Sequence, residues 1–126
     1  MQVNELIAGD VVSTEPGASI ADAAKLMMSH ETGSLAVIDD GELVGIVTER
    51  DVMEVVAEDG DPFSTTVDEV MTPNPDALEP DAEVAYAADW VLAAGYRHLP
   101  IKDDSGRLIG MLSIKDILWG VTQGRE

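Results

Sequence analysis

The sequence contains no cysteine, which excludes disulfide bonds, catalysis by a thiolate and zinc sites with cysteine ligands. No apolar run approaches the roughly 20 residues that a membrane-spanning helix needs, and no signal-like segment follows Met1. We therefore expect a cytoplasmic location and no membrane partner. At 126 residues, the chain has the length of one compact domain with a real core.

Basic residues are scarce, since 7 Lys and Arg stand against 25 Asp and Glu and give a formal net charge of −18. The acids are scattered along the whole chain and are not gathered in a tail. Such a surface repels phosphate backbones and anionic lipid, so we expect no nucleic-acid partner. Because high salt screens self-repulsion, the composition suits a halophilic source, such as a halophilic archaeon.

Sequence signatures of catalysis are also missing. There is no P-loop, no H-E-x-x-H segment and no turn that would order a Ser–His–Asp triad. Carboxylates are numerous, but no compact set of them stands out as a metal site. We therefore assign no catalytic residue and no metal ligand, and we expect that the protein is not an enzyme.

Two stretches of the chain are versions of one another. Residues 41–53 read GELVGIVTERDVM, and residues 106–118 read GRLIGMLSIKDIL. In each, an apolar run containing a glycine is followed by a hydroxyl residue and, three positions later, by an aspartate. The two pairs are Thr48 with Asp51 and Ser113 with Asp116. The pattern predicts a strand, a turn and the start of a helix.

The similarity between the two stretches extends over most of the chain. Val67–Met71 matches Val3–Ile7, and one inserted residue, Ser105, separates the later matches. The sequence is therefore a tandem duplication with a period of about 64 residues. We place the first repeat at residues 1–62 and the second at residues 63–126.

Each repeat is expected to form a short strand, a helix, a two-stranded hairpin and a second helix. In the first repeat, Ser19 is the expected N-cap of a helix whose apolar face ends at Met28. Strands at Ser34–Ile38 and Glu42–Val47 flank an Asp-Asp-Gly turn, and Val56 is counted among the apolar positions of the second helix. One repeat buries little surface by itself, so we predict an α+β fold in which both repeats pack with pseudo-twofold symmetry.

With these motifs in place, the chain resembles the CBS-domain pair, or Bateman module. Four stretches carry the resemblance: EPGASIADAAKLM, SLAVIDDGELVGIVTERDVM, VDEVMTPNPDALEPDAEVAYAADWVL and RHLPIKDDSGRLIGMLSIKDIL. They cover nearly the entire chain. No enzyme, transporter or DNA-binding domain flanks them, so we expect a stand-alone pair.

The resemblance implies a regulatory module that binds an adenosine-containing ligand in clefts between the repeats. It favours AMP, ADP or ATP over S-adenosylmethionine or NAD, and it requires no cofactor. In that family the aspartate contacts the ribose hydroxyls, and the Ser or Thr assists. By position, these roles fall on Asp51 with Thr48 and on Asp116 with Ser113.

The expected phosphate contacts are distributed unequally between the repeats. CBS domains often carry basic residues just before the second strand, facing the phosphates. Here the second repeat has Arg97–His98 and the first has Gly33–Ser34. A further cation lies between the hydroxyl residue and the aspartate in each repeat. The candidate phosphate-binding residues are Arg97, His98, Lys115 and Arg50.

Each of these candidates has a structural alternative. A hydroxyl followed three residues later by an acid also forms a capping box, which stabilises a helix by about 1 kcal/mol. Clustered cations also form surface ion pairs with abundant acids. Tyr86 and Trp90, one turn apart on a predicted helix, fit either core packing or an interface between two copies.

The resemblance also implies how the module acts. Ligand binding would change the packing of the units, and a separate effector protein, absent from this sequence, would respond to that change. CBS pairs form disc-like dimers through their helices, so we expect a homodimer. The alternative function is a structural dimerisation module whose clefts are empty or degenerate.

Overall fold

A computed structural model describes residues 1–123, which form two compact units. The central unit comprises Val11–Pro75, and the terminal unit comprises Met1–Asp10 together with the chain from Asp76 onward. Both units combine strands with helices, which confirms the predicted α+β class. None of the helices within residues 1–123 has the length and apolar character needed to cross a bilayer.

The central unit is built around a four-stranded sheet. Its elements are β1 (Ser13–Thr14), α1 (Ile20–His30), β2 (Ser34–Asp39), β3 (Glu42–Thr48), α2 (Glu49–Ala57), α3 (Val67–Val70) and β4 (Thr72–Pro73). The strand order is β1-β2-β3-β4, with β1 parallel to β2 and the other neighbours antiparallel. Helices and strands contribute to one core: Ile20, Ala23, Met27, Leu35, Val37, Val47, Val55 and Val67.

The terminal unit repeats this arrangement with a smaller sheet. Its elements are a 3-10 helix (Val3–Leu6), α4 (Val84–Ala94), β5 (His98–Lys102), β6 (Leu108–Ser113) and α5 (Ile114–Gln123). β5 and β6 are antiparallel, and a single parallel bridge from Leu78 to Ile101 takes the place of the first strand. The core residues are Val3, Leu78, Val84, Ala87, Leu99, Ile101, Leu112 and Ile117.

The first segment of each repeat is a short helix, Val3–Leu6 in the first repeat and α3 in the second. Each of these segments packs in the unit that contains the rest of the other repeat. The backbone N–H of Val3 donates to the carbonyl of Ala82 at 2.8 Å, and its counterpart Val67 donates to Ala18 at 2.8 Å. The compact units therefore exchange their first segments relative to the sequence repeats. The predicted division after residue 62 describes sequence similarity, whereas the units describe packing.

The turn chemistry predicted for the first repeat is present. Ser19 is the N-cap of α1, and its hydroxyl accepts a hydrogen bond from the backbone N–H of Asp22 at 3.1 Å. The β2–β3 turn has positive φ at Asp40 (52°) and Gly41 (81°). A two-residue hairpin of matching twist needs this conformation at both positions, which Asp and Gly tolerate.

The apolar helix faces were predicted too wide. Met28 is 80% exposed and Val56 is 61% exposed, whereas their neighbours Met27 and Val55 are buried. Consecutive residues of a helix point about 100° apart, and the buried stripe of α1 and of α2 is too narrow to include both residues of either pair. Trp90 is half-buried against the terminal core, while Tyr86, which it contacts at a ring separation of 5.8 Å, is exposed.

Candidate functional site

The hydroxyl–aspartate pair of the terminal unit lies where β6 ends and α5 begins. The backbone N–H of Ser113 donates to Oδ2 of Asp116 at 2.8 Å, and the Ser113 hydroxyl donates to the same oxygen at 3.1 Å. In return, the backbone N–H of Asp116 donates to Ser113 Oγ at 3.3 Å. These bonds satisfy N–H groups that a helix start otherwise leaves without a partner.

The pair of the central unit has the same geometry. Thr48 donates to Oδ2 of Asp51 from its backbone N–H at 2.8 Å and from its hydroxyl at 3.1 Å. The Asp51 N–H donates to Thr48 Oγ1 at 3.3 Å, which completes the capping box of α2. The capping alternative is therefore confirmed for both pairs.

Capping leaves part of each carboxylate available. Within residues 1–123, the hydrogen bonds to Asp51 and Asp116 reach Oδ2 in both cases and leave Oδ1 without a donor. Both side chains are half-buried. A carboxylate has about four acceptor positions, so a capping aspartate still has room for the two hydroxyls of a ribose ring. Capping and ligand binding are therefore compatible at the same residue.

Predicted phosphate-binding residues meet at the N-terminus of α5. The backbone N–H of Ile114 donates to the carbonyl of Arg97 at 3.0 Å, and His98 is paired with Ser113 in the sheet. Lys115 follows in the first turn of the helix. Arg97 and Lys115 are exposed and form no ion pair within the described residues. Two exposed cations thus lie beside N–H groups that favour an anion.

The equivalent place in the central unit carries a carboxylate as well as a cation. The backbone N–H of Glu49 donates to the carbonyl of Gly33 at 2.9 Å. The Glu49 carboxylate also lies over Gly33, where a Cβ atom would be only 3.1 Å from Oε1. Arg50 is paired with Glu54 at 3.4 Å, and both side chains are largely exposed. The surface ion-pair alternative therefore holds for Arg50, and such pairs contribute little to stability.

The contact of Glu49 with Gly33 was not predicted from the sequence, because the carboxylate occupies space that a side chain at position 33 would fill. Glu49 and Ile114 hold equivalent positions, as do Gly33 and Arg97, but no local pattern links position 33 to position 49. The available signal was the pairing register of the predicted hairpin. It places the residue before β2 beside the residue after β3.

The glycine within each motif is explained by packing. A Cβ atom on Gly110 would lie 2.7 Å from Cγ1 of Ile7, and one on Gly45 would run into the sulfur of Met71. Ile7 and Met71 follow the two exchanged first segments. The glycines therefore make room for these segments, and they are not evidence for a ligand.

A hydrogen bond next to Arg97 was also missed. The Tyr96 hydroxyl donates to Oδ2 of Asp76, and its ring packs against Trp90 at a centroid distance of 6.0 Å. The hydrogen bond to the carboxylate, together with burial and the negative charge of Asp76, raises the pKa of Tyr96 above 10.0. Asp76 and Tyr96 lie 20 residues apart, so no sequence pattern connects them.

The remaining carboxylates of residues 1–123 form no cluster suited to a metal ion, since no group of three or more His, Asp and Glu side chains there is placed to hold one. Asp103 has a lowered pKa because its carboxylate accepts hydrogen bonds from the Ser105 hydroxyl at 2.7 Å and the Arg107 N–H at 3.0 Å. These bonds close the β5–β6 hairpin and have a structural role.

Comparison with known proteins decides the family. The CBS domain family matches residues 3–58 and again residues 67–121. The chain belongs to the CBS domain family. It is 38% identical over 117 residues to an uncharacterized 17.7 kDa protein of Acidianus ambivalens, covering 92% of this chain and 70% of that protein. The resemblance found in the sequence, a tandem pair of CBS domains, is confirmed.

Solved CBS structures share the fold of this chain. The crystal structure of CBSX2 in complex with AMP is 26% identical, with a TM-score of 0.84 over 99% of this chain and 98% of that one. The CBS domain pair of protein MJ0100, in complex with 5′-methylthioadenosine and S-adenosyl-L-methionine, is 26% identical. Its TM-score is 0.88 over 100% of this chain and 98% of that one.

Proposed function

We propose that this CBS pair is a non-enzymatic regulatory module that binds an adenine nucleotide of the AMP, ADP or ATP class. The observation that carries this proposal is the capping aspartate, repeated in both units, whose Oδ1 has no donor within residues 1–123. Related pairs of the same fold hold AMP or adenosine derivatives. S-adenosylmethionine and NAD are less favoured ligands in this proposal, and S-adenosylmethionine has no phosphate for Arg97 and Lys115 to contact.

The residues have distinct roles in this proposal. Asp116 with Ser113, and Asp51 with Thr48, contact the ribose hydroxyls through the carboxylate and the hydroxyl group. The phosphate contacts of the terminal unit come from Arg97, His98 and Lys115. Arg50 is the weakest phosphate candidate because it forms an ion pair with Glu54, whereas Arg97 and Lys115 form none within residues 1–123.

Regulation requires that the ligand bind one conformation more tightly than another. A separate effector protein would respond to the conformation that the nucleotide favours. We propose that this happens in the cytoplasm, in accord with the strongly acidic composition. No catalytic residue is part of the proposal.

A thermal-shift screen tests the proposal. AMP, ADP, ATP, NAD and S-adenosylmethionine are each added in molar salt at up to 100 times the expected dissociation constant. A bound ligand should raise the free energy of unfolding by about 2.7 kcal/mol at that ratio. Asp116→Ala should reduce the shift for the phosphorylated ligands. If no ligand shifts the wild-type protein, nucleotide binding is excluded.

A second candidate function, structural dimerisation, is favoured by exposed apolar side chains at equivalent helix positions. Leu92 and Leu118 of the terminal helix pair are exposed, and so are their counterparts Met28 and Met53 in the central pair. The terminal pair also exposes Trp119. Exposed apolar groups on paired helices are typical of protein–protein interfaces. We propose that these helices form a homodimer.

Light scattering in molar salt tests the dimer, which should have about twice the chain mass of 13.4 kDa. Leu92→Glu should produce monomers, because it buries a charge in the interface. Ala94→Glu adds the same charge at an exposed position about 200° further around α4 and should leave the dimer intact. Trp90→Glu is a poorer test because Trp90 also packs on the core. A monomeric wild-type protein would exclude this function.

A further inference from the structure

The two capping aspartates differ in the charged side chains around them. Beside Asp116, the start of β5 and the first turn of α5 supply Arg97 and Lys115, which have no ion-pair partner within residues 1–123. Beside Asp51, the same two backbone positions carry Gly33 and Arg50. Glu49 adds a carboxylate over Gly33.

Glu49 is exposed, and its carboxylate lies close to the start of α2. Its backbone N–H is bonded to the Gly33 carbonyl at 2.9 Å, which fixes the residue at the first position of α2. Because Gly33 has no side chain, Oε1 and Oε2 approach within 3.1 and 3.5 Å of the place where a Cβ atom would lie. No cation offsets this charge among the described ion pairs, since Arg50 is paired with Glu54.

These charges act on one part of the proposed ligand. This step rests on the proposed function, in which the aspartate holds the ribose hydroxyls. The 5′ carbon is attached to the same small ring, so we expect its substituent near the first helical turn and the adjoining strand start. A phosphate there gains from the free cations beside Asp116, but beside Asp51 it meets a carboxylate of like charge.

We propose that the Thr48–Asp51 site selects adenosine derivatives whose 5′ substituent is neutral or cationic, and that Glu49 sets this selectivity. The Ser113–Asp116 site takes phosphorylated adenosine. The net charge of the chain cannot produce this difference because it acts on both sites. In this proposal, one CBS pair has two sites that bind adenosine derivatives with differently charged 5′ substituents.

Calorimetric titration of the full chain tests the proposal with three probes: 5′-amino-5′-deoxyadenosine, adenosine and AMP. Asp116→Ala isolates the central site, and Asp116→Asn replaces it if the Ala variant does not fold. We expect the amino derivative to bind most tightly and AMP to bind at least about fivefold more weakly than adenosine, as one unit charge at about 4 Å predicts.

The specific test of Glu49 is Glu49→Gln in the Asp116→Ala background. It should strengthen AMP binding about fivefold, weaken binding of the amino derivative by a similar factor, and leave adenosine nearly unchanged. Glu58→Gln removes one charge from an exposed residue at the other end of the same helix, and it should change none of the three affinities. Raising the salt concentration should shrink the Glu49 effect.

The outcomes separate this inference from the proposed function. If wild-type protein binds AMP but the Asp116→Ala background binds AMP as tightly as adenosine, or binds no probe, charge selection at the central site is wrong. Equal changes from Glu49→Gln and Glu58→Gln would also overturn it. If the wild-type protein binds none of the three probes, the proposed function itself fails.

Discussion

The central and terminal units have nearly the same backbone at the helix starts but different charges around them. The three hydrogen-bond distances between Thr48 and Asp51 equal those between Ser113 and Asp116. The first helical residues are also bonded alike, since the N–H of Glu49 donates to the carbonyl of Gly33 and the N–H of Ile114 donates to the carbonyl of Arg97, each just before a strand. The side chains at those strand starts, however, are a hydrogen atom and a guanidinium group.

The hydrogen bonds that both units share are those that folding requires, whereas the charges that differ are those that would act on a ligand. Capping and strand pairing are needed in both units, because an unsatisfied N–H costs free energy wherever it lies. Charge at an exposed position has little effect on stability, so it can diverge after duplication. The hydroxyl–aspartate pair alone therefore identifies a helix start, and its charged neighbours distinguish the two sites.

The largest expected effect is loss of the terminal site. Asp116→Ala removes the proposed ribose contact beside Arg97 and Lys115, which form no ion pair within residues 1–123, so the tighter AMP-binding event should disappear from a calorimetric titration. Asp51→Ala is the matched control, because it removes the same capping bonds from the other unit. If Asp51→Ala abolished the tighter event and Asp116→Ala did not, the assignment of the phosphate site would be wrong.

Arg97→Ala should have the next largest effect. A hydrogen bond to a charged group contributes roughly 1.5–3 kcal/mol, so AMP binding should weaken about tenfold or more. Adenosine binding should stay nearly unchanged, because adenosine has no phosphate for the guanidinium to contact. Titrations of AMP and adenosine on the same variant measure both. Equal losses would mean that Arg97 supports the fold and not the phosphate.

Local features of the fold could be predicted from the sequence because they depend on near neighbours. The hydroxyl at Ser19 or Thr48 and the acid three positions later lie within one helical turn, so their capping roles follow from residue type and spacing. The hairpin at Asp40–Gly41 likewise depends on two residues that tolerate positive φ.

The exchange of first segments could not be predicted. Val3 and Val67 are identical residues, and their respective acceptors, Ala82 and Ala18, are identical too, so the sequence offers each segment two equivalent partners. Which partner is taken depends on chain connectivity and packing. The contact of Glu49 with Gly33 was missed for a related reason, since it joins residues that the hairpin brings together.

The two motif glycines should differ in how well they tolerate alanine. At Gly45 an added Cβ meets the Met71 sulfur and, at 3.0 Å, the backbone oxygen of Thr72, which cannot move without disturbing β4. We expect Gly45→Ala to destabilise by roughly 1–3 kcal/mol, the usual cost of overpacking. Gly110→Ala should cost less, because its three nearest atoms all belong to the Ile7 side chain and none of them is a backbone atom.

Urea unfolding at fixed salt measures these costs. Gly17→Ala is the control, because nothing lies within 4 Å of its Cβ position. Its φ is not positive, so alanine should be neutral or stabilise by about 0.4–1 kcal/mol through the unfolded chain. A greater loss for Gly110→Ala than for Gly45→Ala would contradict the packing difference between the units.

The smallest expected effect concerns the Tyr96–Asp76 hydrogen bond, which only the terminal unit can form among the described residues. The counterparts of these residues are Thr32 and Val12, and Thr32 donates instead to the carbonyl of Ser34 at 3.3 Å. The pKa of Tyr96 is raised because its hydroxyl donates to the Asp76 carboxylate and because ionisation would place two negative charges together. The phenol should therefore keep its proton above pH 10.

Absorbance titration of Tyr86→Phe, which leaves Tyr96 as the single tyrosine of the chain, measures this directly. Its midpoint should lie above the ordinary value of 10.0. Adding Asp76→Asn should lower it, because the amide keeps an acceptor but removes the charge. Since the folded pKa is the raised one, any stability from this bond is present below pH 10 and is lost as pH rises through the folded pKa. An unchanged midpoint after Asp76→Asn would show that Asp76 is not the cause.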